Sequence, residues 1–233
     1  MTKTNQSIIN ISMTPETVIS LKDAGYILYG IKPAISSPLV WFASEGYLIN
    51  TTVVWLEKYY AYITNQENIK AGDVILPCRP SQVKNNEKGI FACSSEQLNK
   101  GEKMLIDKYG ITKVEKGGRE GELTIENQGN GIWTCGLSQA VTNDLPYPIN
   151  AMPLLPNTTI QISPINLVLL MFAQEKVKTG TVVEKTWSPS VLVGKREEEN
   201  IEVDLTFDIN TGWGGQEKEE IKIIPSGESL PIY

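Results

Sequence analysis

The stretch IEVDLTFDIN, residues 201–210, decides the fold class. Ile201, Val203, Leu205, Phe207 and Ile209 fall on every second position, and Glu202, Asp204, Thr206, Asp208 and Asn210 fill the others. Successive side chains of a strand point to opposite faces, so this pattern predicts a strand with one buried and one wet face. Wound as a helix, the same residues would scatter apolar and polar groups around the whole circumference.

The same reading extends outward. Residues 52–63 place Val53, Trp55, Tyr59, Ala61 and Ile63 on one side and Val54, Leu56, Tyr60 and Tyr62 on the other, which predicts one strand covered on both faces. INLVLLMFA, residues 165–173, is far shorter than the about 20 apolar residues of a membrane-spanning helix and reads as a buried strand. Further β-rich runs lie at 18–21, 26–31, 39–42, 74–76, 123–126, 159–162, 181–185, 190–193 and 220–224, punctuated by Gly117-Gly118, Asn130-Gly131 and Gly214-Gly215. Only 95–98 and 101–109 offer a helical turn or two. The expected fold is therefore all-β, of β-sandwich type, with very little helix.

A faint internal echo bears on domain organisation. Thr17-Val18-Ile19-Ser20, Tyr26-Ile27-Leu28-Tyr29 and Thr52-Val53-Val54 recur in order as Thr159 to Ser163, Leu167 to Leu170 and Thr181-Val182-Val183. Two related β units packed together, 1–150 and 151–233, would meet near the proline-rich stretch from Pro146 to Pro156, the second unit counting as part of the same sandwich or as its own.

Composition closes several functional classes. The 21 basic residues are scattered and outnumbered by 27 acidic ones, for a net charge of -6, so no stripe exists to follow nucleic-acid phosphates or anionic lipid. Cys78, Cys93 and Cys135 are odd in number and lack a CxxC pair, which predicts free buried thiols. The N-terminal residues lack the basic start and apolar segment of a Sec signal, so the expected address is cytoplasmic as synthesised, with release by another route left open.

The chain contains no histidine, which removes Ser-His-Asp and Cys-His catalysis and imidazole-held metals. Ser81-Gln82-Val83-Lys84 and Lys178-Thr179-Gly180 match the SxxK and KTG spacings of penicillin-binding enzymes, but proline and turn residues surround Ser81 where a helix is needed. The loop from Asp208 to Glu219 has calcium-loop residues at its first, third and last positions, but Gly212 replaces a ligand and Trp213 the turn glycine. Neither a metal nor a cofactor is expected. Glu202, Asp204 and Asp208 are the acids a carboxylate-based glycan hydrolase would use, although residues two apart on a strand, roughly 7 Å, more often form a solvated face.

Aromatic residues near loops remain. Trp213 lies among Gly212, Gly214 and Gly215, and Trp41 and Tyr47 flank a polar insertion. The sequence thus predicts a non-catalytic binding protein, toxin-like or lectin-like, in which Trp41, Tyr47, Trp213, Asp208 and Asn210 meet a glycan, a lipid head group or a receptor. The alternative is a self-assembling homo-oligomer, as an inclusion, shell or filament subunit.

Overall fold

The computed structural model describes residues 6–34, 36–78, 93–141, 145–194, 200–215 and 221–231. In chain order the elements are β1 (Gln6–Ser12), α1 (Pro15–Asp23), β2 (Ile27–Ile31), β3 (Ser37–Pro38), β4 (Val40–Ser44), β5 (Asn50–Leu56) and β6 (Tyr59–Thr64). They continue with β7 (Cys93–Leu98), β8 (Glu102–Ile106), β9 (Thr112–Lys116), β10 (Leu123–Asn127), β11 (Trp133–Gln139), β12 (Tyr147–Pro148) and β13 (Asn150–Leu154). The last are β14 (Thr159–Ile162), β15 (Val168–Ala173), β16 (Ser190–Val193), β17 (Glu202–Asp208), β18 (Gly212–Gly215) and β19 (Ile221–Ile224). With one helix among the described residues, the all-β sandwich-type expectation holds.

Four sheets share one core. Their strand orders are β18-β17-β1-β5, β14-β10-β8-β9, β3-β13-β11-β6-β7 with β12 beside β11, and β19-β16-β15-β2-β4. Ile9, Ile11, Val53, Trp55, Val203 and Leu205 of the first sheet bury against Leu28, Val168, Leu170 and Phe172 of the fourth. Met104 and Ile125 of the second sheet and Ala61 and Leu137 of the third belong to the same cluster. Strands from both sides of residue 150 share every sheet, so the 1–150 and 151–233 segments are interleaved.

The decisive stretch behaves as its alternation requires. In β17, Val203 and Leu205 are buried while Glu202, Asp204 and Thr206 are exposed. The unbroken apolar run of β15 has a different cause: Val168, Leu170 and Phe172 enter the main core, and Leu169, Met171 and Ala173 enter a second one with Tyr29, Ile31 and Leu192. The fourth sheet is thus covered on both faces.

Several local expectations are corrected. Residues 52–63 are two strands, because the chain turns at Glu57-Lys58, where Lys58 N donates to Leu56 O at 2.8 Å. β5 joins the first sheet and β6 the third. Residues 18–21 lie in α1, which Thr14 caps by accepting from Thr17 N, with Pro15 opening the helix and Glu16 in its first turn. The echo therefore matches a helix at 17–20 with a strand at 159–162. Residues 95–98 and 101–109 supply β7 and β8, not helical turns.

The cysteine expectation changes too. Cys78 and Cys93 form a disulfide with Cα atoms 6.0 Å apart, leaving Cys135 as a buried free thiol that burial pushes up to about 12. Spacing alone does not reveal which cysteines meet. The Ser81 motif lies outside the described residues. Its Lys178-Thr179-Gly180 partner is a tight turn in which Thr181 N donates to Lys178 O at 3.1 Å. No helix among the described residues is long and apolar enough to cross a membrane.

Candidate functional site

The site begins with a topological feature: β1 and β17 are parallel, with Ile8 opposite Glu202 and Ser12 opposite Thr206. Their C-terminal ends therefore lie side by side. From one end the chain enters α1 through Met13-Thr14, and from the other it folds back as the β17–β18 hairpin. Asp208 holds the two exits together. Its Oδ1 accepts from Asn210 N at 2.9 Å and Thr211 N at 3.1 Å, and its Oδ2 accepts from Thr17 Oγ1 of α1 at 3.0 Å. The Asn210 N–H, the Thr17 hydroxyl and the Thr211 N–H hold the carboxyl below its ordinary value.

A cleft of about 540 Å³ opens between these exits. Four hydroxyl-bearing residues line it, Ser12, Thr14, Thr206 and Thr211; Thr14 Oγ1 already donates to Thr17 Oγ1 at 3.2 Å, and Ser12 Oγ donates to Asn50 Oδ1 at 3.3 Å. Met13, Phe207 and Trp213 supply apolar lining. Gly214 keeps the wall open, since a Cβ there would stand 2.7 Å from Thr206 Oγ1. No lysine or arginine lines the cleft among the described residues.

The five residues singled out from sequence fare differently. Asp208 and Trp213 are cleft residues, and Asn210 sits exposed at the hairpin tip beside them. Trp213 is nevertheless only 9% exposed, not the solvent-presented ring its glycine neighbours suggest. It stacks on Phe172 at 5.5 Å, meets Phe207 edgewise at 4.8 Å and donates from Nε1 to Pro189 O at 3.2 Å. Trp41 and Tyr47 are buried away from solvent and are corrected to core positions. Trp41 lies in β4 and donates to Gln139 O at 2.9 Å, while the Tyr47 hydroxyl donates to Tyr26 O at 2.9 Å. Backbone carbonyls satisfy their polar atoms, so burial leaves none of them unpaired.

The acids considered for hydrolysis belong to a solvated face. Asp204 Oδ1 accepts from Asn10 Nδ2 at 2.9 Å, and Asn10 Oδ1 accepts from Thr52 Oγ1 at 3.1 Å, forming a polar row across the first sheet. Asp208 is held ionised, the reverse of what a proton donor to a leaving group needs. Of the loop from Asp208 to Glu219, residues 208–215 form the hairpin and the remainder lies outside the described residues.

A second cluster was not foreseen from sequence. Lys32 follows β2 and is 1% exposed, with Nζ 4.7 Å from the ring centroids of both Trp41 and Trp55. The two indoles are nearly perpendicular, at 88°. Nζ has no hydrogen-bond partner among the described residues, and burial lowers its pKa to about 7 against the opposing pull of Glu57. Trp55 Nε1 donates to Asn166 Oδ1 at 3.0 Å, and Asn166 Nδ2 donates to Ser7 Oγ at 3.0 Å. The available signal was alternation: Lys32 continues the Leu28, Gly30 face of β2 into the core.

Comparison with protein families, with curated proteins and with solved structures gave no match, so the chemistry of these two sites rests on their own geometry.

Proposed function

We propose that the chain is a non-catalytic β-sandwich binding protein, lectin-like in its chemistry, whose cleft at the ends of β1 and β17 takes a neutral glycan. One observation carries the reading: four hydroxyl-bearing residues share a single cleft of about 540 Å³ with Phe207 and Trp213. Ligand pockets combine apolar lining with a few placed polar groups, and a sugar presents both an apolar ring face and hydroxyls able to donate and accept. The ionised Asp208 and the absence of a cleft cation among the described residues disfavour phosphate-bearing lipid head groups and acidic glycans.

The Cys78–Cys93 pair supports a working place outside a reducing cytoplasm, because disulfides persist in oxidising compartments. A glycan array tests the reading. Selective retention of the labelled protein on neutral oligosaccharides is expected; retention on none, or only on anionic ones, would overturn it.

A further inference from the structure

Lys32 is an anomaly: a buried amine without a hydrogen bond among the described residues, held between two indoles. Such groups are rare enough in folded proteins to require a reason. Asn166 is offered by the segment that leads into β15, the neighbour of β2 in the fourth sheet. The β2–β15 ladder ends with Ile31 opposite Leu169, and Lys32 and Asn166 lie just beyond that end, one and three residues on. Diagonal neighbours in an antiparallel pair lie roughly 7–8 Å apart at the backbone, and a lysine side chain spans such a gap. Trp55 touches both groups, its ring beneath Nζ and its Nε1 on Asn166 Oδ1 at 3.0 Å.

We propose that Lys32 and Asn166 become joined by an intramolecular isopeptide bond. The uncharged amine of Lys32 attacks Cγ of Asn166, the Nζ–Cγ bond forms, the Cγ–Nδ2 bond breaks, and a proton passes from Nζ to the departing nitrogen, which leaves as ammonia. Nothing is oxidised or reduced, and no co-reactant is consumed. The surroundings suit each part of the step. The lowered proton affinity of Lys32 supplies free amine near neutral pH. The Trp55 N–H polarises the Asn166 carbonyl and faces the oxygen on which negative charge develops. Ser7 Oγ fixes the amide by accepting from Nδ2 at 3.0 Å. Both reacting residues are buried, which keeps water from competing for the carbonyl. The product carries no buried ammonium, which accounts for a lysine that no ion pair or hydrogen bond receives among the described residues.

The test is the intact mass of the folded, purified full chain after reduction and denaturation. The expected mass is lower than that of the sequence by one ammonia, and proteolysis yields a branched peptide containing Lys32 and Asn166. Lys32→Met retains its full mass, whereas Asn166→Asp forms the same bond with loss of one water. Wild-type protein of full mass, with separate peptides containing Lys32 and Asn166, would overturn the proposal. So would loss of ammonia that persists in Lys32→Met, since it would arise elsewhere in the chain.

Discussion

Asp208 shows how one side chain organises the cleft and how far its role could be read in advance. It sets the hairpin turn through two backbone N–H groups and pins α1 through Thr17. Its folded-state pKa is depressed, so its stabilisation is fully present above the ordinary value of 3.8 and is lost as pH falls through the lower folded value. Asp208→Asn cannot accept all three bonds. Thermal melts should show a lower midpoint than wild type at neutral pH and a smaller loss on going from about pH 4 to about pH 2. An unchanged acid slope would remove Asp208 from this role. Sequence pointed to Asp208 and Trp213 because alternation and clustered glycines are local signals. Trp41 and Tyr47 misled because the carbonyls that receive them, Gln139 O and Tyr26 O, lie 98 and 21 residues away. Lys32 was overlooked because a lone lysine after an apolar run resembles an ordinary strand end.

At the scale of elements, legibility followed whether a pattern stayed unambiguous along the chain. β17 and β15 were readable, the first by strict alternation and the second by an apolar run too short for a membrane. The division of residues 52–63 was not, because Glu57 and Lys58 fill the turn without breaking the period. The α1 helix hid behind the β-branched Val18 and Ile19, although Thr14-Pro15-Glu16 is a helix-start signal. Thr14→Ala should cost about 1 kcal/mol, seen as a lower urea midpoint at unchanged slope. The Cys78–Cys93 bridge, with a sequence separation of 15, should contribute about 3 kcal/mol by restricting the unfolded chain. The Cys78→Ser/Cys93→Ser protein should show that loss in denaturant melts. Equal stability of reduced and oxidised wild type would argue against a closed bridge.

For the whole molecule, the all-β class was visible in sequence and the arrangement was not. The pairing that makes the cleft brings Ile8 beside Glu202 and Ser12 beside Thr206, and nothing local in either strand names its partner. Interleaving across residue 150 likewise depends on long-range pairings, such as β2 with β15 and β10 with β14. The binding reading stands or falls on the space those pairings enclose. Thr206 is exposed on the wet face of β17 and lines the cleft, so a tyrosine there fits a strand surface while filling the binding space. The decisive measurement is a calorimetric titration of the best-retained neutral glycan into wild-type protein and into Thr206→Tyr, with thermal midpoints recorded for both. The account predicts saturable binding to wild type and at least about a tenfold loss, or about 1.4 kcal/mol, in the variant at matched stability. Equal affinity in the two proteins would place the ligand elsewhere and contradict the cleft as the binding site.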